Sequence, residues 1–340
     1  MSTYADQGHR VARRNLLAFF GAATAVWPVW AQVAPRRYRI AIADPAFTAT
    51  EWRNLRLYRP LFPELHRLGD VEGVNLEVEY FTAEGHVERY ADLARQVVDR
   101  APDVIVSLTG DLVAQLVSET RTIPIVAYMA NPDFVGSVAS LARPGGNLTG
   151  VNLYAGIEIE GKRLQLLKEA VSDGIAGCGA EYASGTCLWE VATKAAGVRR
   201  AIADVAGGGT ASDPTPSEIE HGFAELAGNR PDALLLGPEP AFGMHAGLIS
   251  QRVKENRLPA IYPYPVYAEH GGLMTYTYDP TELARQLADD LHQVLHGAKP
   301  GDIPIYQATR FKFTVDLNTA KAIGLTFPPA VLALADEVIE

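Results

Sequence analysis

Short apolar runs and helical patterns take turns along the chain from Tyr38 onward, and that alternation is the signature of parallel strands joined by crossover helices. Residues 38–43 predict the first strand, which ends at Asp44-Pro45. A helical region follows as far as Leu68, with Pro60 and Pro63 placed to kink or split it. Leu76, Val78 and Tyr80 alternate in a second strand over 75–81, and Val87, Tyr90, Leu93, Val97 and Val98 give 86–100 a helical face. Residues 103–108 and 123–127 are short and β-branched, as buried parallel strands tend to be, with a helix over 111–119 between them. The second half repeats the plan. Strands are predicted over 231–236, 260–262, 272–278 and 311–317, and helices over 243–256, 280–296 and 328–339, with Pro280 at a favourable first-turn position. Residues 173–209 are rich in Gly and Ala and short of β-branched residues, so no firm strand can be placed there. At 340 residues the chain suits two α/β lobes of ordinary size.

The stretch 123–170 is the most informative. A buried-type strand runs into a polar tip, Asn131-Pro132, and a small helix; a Gly-rich turn over 143–147 then leads to a second strand and to an amphipathic helix starting near Gly156. A polar tip where a strand ends is the usual ligand position in an open α/β sheet. A strand that leaves one lobe through a glycine turn and enters another has the form of a hinge. Binding without covalent chemistry is what this combination predicts.

Composition narrows the class. Apolar residues make up 48% and charged residues 21%, as in a globular protein with a large core. The formal net charge is −10, which argues against nucleic acid or anionic lipid as a partner. Residues 1–31 stand apart. Arg13 and Arg14 precede an apolar run over 16–30 that closes on Val29-Trp30-Ala31, giving a basic region, a short hydrophobic region and a small-residue cleavage site, the layout of a secretory signal peptide. Arg13-Arg14-Asn15-Leu16-Leu17 also fits the twin-arginine form, and a periplasmic location is expected. Cys178 and Cys187 lie close together; in an oxidising compartment they either close a small disulfide loop or remain two separate thiols.

Catalytic motifs are missing from the sequence. It holds no Gly-x-Ser-x-Gly elbow, no phosphate-binding Walker loop and no paired-histidine zinc motif. The eight histidines are scattered singly, and His245, His270, His292 and His296 have no carboxylate or cysteine neighbours at metal-ligand spacing, so neither a metal nor a cofactor is expected. Aromatic residues say more. Tyr262, Tyr264, Tyr267, Tyr276 and Tyr278 crowd a strand end, a loop and a crossing strand, where tyrosines can line a cleft. Thr109-Gly110, just before a helix, would offer backbone N–H groups and a positive dipole end to an anionic group, or serve as a plain N-cap.

Several ordered stretches carry a resemblance over most of the chain: GVNLEVEY at 73–80, SVASLARPGGNLTG at 137–150, GKRLQLLKEA at 161–170, LPAIY at 258–262, GGLMTY at 271–276, LNTAKAIGL at 317–325 and ADEVIE at 335–340. In these the chain resembles the substrate-binding proteins of ABC transporters, in the group related to tryptophan- and tyrosine-binding components. The resemblance implies an α/β protein of the type I periplasmic-binding fold: two Rossmann-like lobes with parallel sheets, three crossing segments, and a small solute clasped between them by hinge closure. Lobe 1 would comprise 32–150 plus 278–308, and lobe 2 would comprise 151–277 plus 309–340. First-lobe contacts would come from Asp44, Phe47, Thr109, Gly110, Asn131 and Pro132, second-lobe contacts from Tyr154, Glu181, Tyr182, Glu239 and Tyr262, and a further contact from Tyr278 at a crossing. Where many members show Gly-Asp-Pro, this chain has Ala130-Asn131-Pro132, which removes a carboxylate suited to a ligand ammonium. The implied partners are a small-molecule ligand and an inner-membrane ABC permease with its ATPase, served by a monomer. A receptor subunit of a signalling system and a secreted enzyme are the alternative readings.

Overall fold

The computed structural model describes residues 36–108, 110–129, 138–153, 156, 158–171, 215–228, 231–238 and 240–340. The predicted signal over 1–31 and the Cys178/Cys187 pair lie outside the described residues.

Apolar alternation in the first half becomes strands β1 (Tyr38–Asp44), β2 (Leu76–Thr82), β3 (Val104–Leu108), β4 (Ile125–Met129) and β5 (Leu148–Asn152). Between β1 and β2 the helical region is split, as the prolines predict. Helix α1 (Ala49–Asn54) starts in a capping box, with Thr48 and Glu51 satisfying each other's backbone N–H. Helix α2 (Leu61–Leu68) takes Pro60 as its N-cap and holds Pro63 in its first turn, where a missing N–H costs nothing. Helices α3 (Tyr90–Asp99) and α4 (Gly110–Glu119) follow β2 and β3.

The chain continues through α5 (Glu158–Ala170), α6 (Pro216–Gly228), β6 (Leu234–Leu235), α7 (Pro240–Met244), α8 (Ala246–Glu255), β7 (Ala260–Tyr262), α9 (Val266–Glu269), β8 (Met274–Tyr278) and α10 (Pro280–Leu295). It ends in β9 (Tyr306–Gln307), β10 (Phe311–Asp316), α11 (Leu317–Ile323), α12 (Pro329–Leu334) and β11 (Glu337–Ile339). A single closing helix over 328–339 is not what forms. Ala335 turns extended, Asp336 exchanges hydrogen bonds with the Phe313 backbone, and β11 pairs in parallel with β10. The short helices α9 and α11 and the two-residue β9 were also not anticipated.

Two sheets result. The first, ordered β2-β1-β3-β4-β5-β9, is parallel throughout. The second, ordered β11-β10-β8-β7-β6, is parallel except where β10 runs against β8. Each sheet is covered on both faces, because successive side chains of a strand point to opposite sides. In the first, Ile40, Ile42, Val104, Val106 and Val126 face α2 and α10, while Ala41, Ala43, Ile105, Ile125 and Ala127 face α3 and α4. In the second, Ile261, Met274, Phe313 and Val315 pack on α5 and α12, and Leu234, Leu236, Ala260 and Tyr262 pack on α6 and α8.

The chain passes between the sheets three times: from β5 to α5, from β8 to α10, and from β9 to β10. Residues 37–340 form one compact unit. At Gly150 the backbone has φ +135°, and a Cβ there would lie 2.1 Å from the Ala127 carbonyl oxygen on the neighbouring strand. Only glycine lets β5 lie this close to β4.

Candidate functional site

The three crossings meet around one small cavity of about 30 Å³. Tyr278 and Phe311, register partners at the ends of β8 and β10, form one side of it. Leu153 and Gly156, from the first crossing, and Pro238, Pro263 and Tyr264, from loops that follow β6 and β7, complete most of the rest. The Tyr264 hydroxyl donates to the Pro238 carbonyl, tying these two loops together. The space holds about two waters by volume and no amino-acid-sized solute.

Helix α5 contributes a buried ion pair. Arg163 and Glu160, one turn apart, are bonded to each other with side chains 7% and 2% exposed. Arg163 Nε also donates to the Tyr276 carbonyl at 2.8 Å, and Nη2 donates to the Pro263 carbonyl at 3.4 Å. Arg163 therefore fastens the first crossing helix to β8 and to the loop after β7. Its planar fork suits several acceptors at once, and these acceptors offset part of the cost of taking the guanidinium out of water.

On the side of the first sheet, an aromatic group lies beneath the strand ends. Trp52 stacks on Tyr58 with ring centroids 4.3 Å apart and planes 3° apart, and Tyr58 meets Tyr128 at 5.8 Å. Burial pushes the hydroxyls of Tyr58 and Tyr128 well above the usual tyrosine range. The Tyr128 hydroxyl, buried in β4, finds no hydrogen-bond partner among the described residues.

Asp44 closes β1 next to this group. Its Oδ1 accepts the backbone N–H of Ala46 at 2.8 Å and of Phe47 at 2.6 Å. Its Oδ2 is buried without a hydrogen-bond partner among the described residues. Burial drives the carboxyl up to about 7, against the pull of the two N–H donors. A carboxylate with one oxygen anchored and one unsatisfied is disposed to meet a cationic group.

The expected contact residues are thus distributed unevenly. Asp44 and Phe47 are held together at the end of β1, Gly110 opens α4, and Tyr278 lines the cavity. Tyr262 differs from expectation: it is 1% exposed, with its ring stacked on Tyr267 at 4.5 Å inside the second lobe's core. Its strand position faces α8 and α9, and the cavity is lined instead by the next two residues, Pro263 and Tyr264. Thr109, Asn131, Pro132, Tyr154, Glu181, Tyr182 and Glu239 lie outside the described residues. Tyr264, one of the tyrosines grouped in the sequence as possible cleft lining, does line the cavity; Arg163, Glu160 and Phe311 were not singled out as contacts. Only the i, i+3 spacing of Glu160 and Arg163 hinted at a pair, and that spacing is common on solvated helix faces.

Two α/β lobes, three crossings and a cavity between them define a two-lobed solute-binding protein. Residues 61–186 and 236–339 match the family described as ABC transporter substrate binding protein, and the chain belongs to that family. It is similar to a tyrosine-binding protein of Clostridioides difficile (strain R20291), at 23% identity over 76% of this chain and 73% of that one. Among solved structures it resembles an ABC domain in complex with L-Trp from Streptococcus pneumonia (21% identity, 89% of this chain and 100% of that one, TM-score 0.72). A conserved domain protein from Vibrio cholerae matches with the same identity and coverage and a TM-score of 0.71. A ligand-free, open substrate binding protein with adhesive properties from Clostridium difficile matches at 19% identity, over 89% of this chain and 99% of that one, with a TM-score of 0.58. These likenesses establish the type I periplasmic-binding fold. The protein is the solute-binding component of an ABC transporter, working outside the cytoplasm with a small-molecule ligand. Among the described residues no helix is long and apolar enough to cross a membrane.

Proposed function

We propose that the solute is a small aromatic, amino-acid-like molecule, captured by closure of lobe 1 (32–150 plus 278–308) on lobe 2 (151–277 plus 309–340). The observation that carries this reading is Asp44, a buried carboxyl with one unpartnered oxygen, set beside Trp52, Tyr58 and Tyr128. With Asn131 in place of an acid, Asp44 supplies the carboxylate for a ligand ammonium, the buried aromatic rings back the strand end on which it sits, and half-buried Phe47 offers an apolar face. The tyrosine-binding and L-Trp-bound relatives support the same solute class. The remaining contacts are Phe47, Thr109, Gly110, Asn131 and Pro132 from lobe 1, Tyr154, Glu181, Tyr182, Glu239 and Tyr264 from lobe 2, and Tyr278 where the chain crosses between them.

The cavity is far smaller than such a solute, so the lobes must part to admit it. Ligand then stabilises the closed form only by binding it better than the open one. The loaded monomer docks on a membrane permease whose ATPase drives import. It carries no catalysis of its own, and residues 1–31 direct its export by the twin-arginine route.

A thermal-shift screen of amino acids, aromatic acids, sugars and polyols tests the assignment. At a hundredfold excess over its dissociation constant, a ligand adds about 2.7 kcal/mol of stability. L-Tyrosine, L-tryptophan or a close analogue should give the largest shift, and a shift confined to sugars or polyols would overturn the solute class.

A further inference from the structure

At the opposite end of the first sheet, where β1 begins, three side chains from distant parts of the chain converge. Asp70 follows α2 and is 2% exposed. His292 lies in the last turn of α10, and His296 caps that helix. Each brings a donor atom within 4.8 Å of the others. From the sequence the histidines stood alone, because the carboxylate that joins them is 222 residues away.

The hydrogen bonds fix what each ring offers. His292 Nδ1 lies 2.8 Å from Asp70 Oδ2, and a carboxylate only accepts, so Nδ1 carries the hydrogen. His296 Nδ1 lies 2.8 Å from the His292 carbonyl, which also only accepts. Both neutral rings are therefore held in the tautomer that leaves the Nε2 lone pair for another partner. Metal-ligating histidines have this arrangement, with Nδ1–H given to a carboxylate or a backbone carbonyl. The two rings are one helical turn apart, with centroids separated by 4.1 Å and planes by 37°. The negative end of the α10 dipole adds a local preference for a cation.

We propose that His292 and His296 bind a divalent first-row transition metal ion of the zinc, nickel or copper kind through their Nε2 atoms, with Asp70 as the outer carboxylate that orients His292. Imidazole suits these ions, whereas calcium and magnesium require oxygen ligands. Metal–nitrogen bonds of about 2.0–2.1 Å would place the two Nε2 atoms roughly 3.3 Å apart, on rings whose centroids are 4.1 Å apart. Water completes the coordination, since His292 is one-third exposed and His296 is exposed. The site lies away from the cavity between the lobes, and metal there would brace α10 against the segment after α2.

Titration of chelator-stripped full-length mature protein with zinc chloride at pH 7.5, followed by calorimetry, tests this. Wild type should bind one ion. His296→Gln, at an exposed position, should fold normally and bind at least about tenfold more weakly, and Asp70→Asn should weaken binding by about 10- to 100-fold while its amide oxygen still accepts from His292. Absence of a one-site isotherm in wild type, or an unchanged affinity in folded His296→Gln, would overturn the site.

Discussion

Arg56 and Glu337 form a two-pronged ion pair from one lobe to the other. Arg56 follows α1 on the first lobe and donates Nη1 and Nη2 to Oε2 and Oε1 of Glu337, each at 2.8 Å, while Glu337 belongs to β11 at the edge of the second sheet. The Arg56 backbone N–H donates to Glu269 of α9 at 3.0 Å. The pairing holds the Glu337 carboxyl below the usual carboxylate range. Both side chains are about one-third exposed, so the latch contributes modestly, about 0.5–1 kcal/mol after solvent screening. Arg56→Ala should therefore shift the balance toward the open form and weaken solute binding about two- to fivefold. Calorimetry at two salt concentrations checks this, since wild-type affinity should fall with salt more steeply than that of the variant.

Asp44 makes solute recognition sensitive to pH. Its folded-state value of about 7 means that the carboxyl loses its proton as pH rises through neutrality. An ammonium-bearing solute prefers the ionised carboxylate, so affinity should climb by up to about tenfold between pH 6 and pH 8 and level off above. Asp44→Asn should flatten the profile and leave affinity at or below the wild-type low-pH value. A flat wild-type profile would mean that the ammonium is met elsewhere.

Asp290 should act on stability instead. It is fully enclosed in α10, its Oδ1 accepts from Gln286, and Oδ2 has no hydrogen-bond partner among the described residues. Burial raises its carboxyl to about 7, above an unfolded value of about 3.9. Between those values the folded state holds the proton and the unfolded state does not, so this group's contribution falls as pH rises from about 4 to about 7 and is constant above. Asp290→Asn should be more stable than wild type at pH 8, on the order of 2 kcal/mol, with the gap closing toward pH 4. Urea melts at three pH values measure it.

Gly150→Ala tests the packing of β5 on β4. The added methyl would sit 2.1 Å from the Ala127 carbonyl oxygen, on backbone whose φ of +135° already strains any side chain. A loss of at least about 3 kcal/mol is expected, read from denaturant midpoints. A loss under 1 kcal/mol would show that the strands separate easily.

The alternation of apolar runs and helical faces was enough to place most strands of both sheets, because burial on both faces leaves a dense, local hydrophobic signature. Local pattern failed where long-range pairing decides. VLALADEVIE has helix-like apolar spacing, yet its last residues form β11 because β10 offers an open edge. Arg163 looked like one more charge on an amphipathic helix; the carbonyls of Tyr276 and Pro263 that enclose it come from about a hundred residues away. Tyr262 and Tyr264 are indistinguishable by type, and only the strand's facing separates the core ring from the one lining the cavity.

Helix α10 has a consequence for the order of assembly. The face of the first sheet that holds Ile40, Val104 and Val126 is sealed by Leu283, Leu287 and Leu291, which follow every strand of the second lobe except β10 and β11. A nascent chain that ends after β5 carries five strands with one side covered only by α2 and the segment before it, and loop closure over more than a hundred residues must precede full burial. The amino-terminal half is therefore no independent folding unit. Both lobes become stable late and nearly together, and a cut within either lobe's return segment should release two fragments that cannot fold alone.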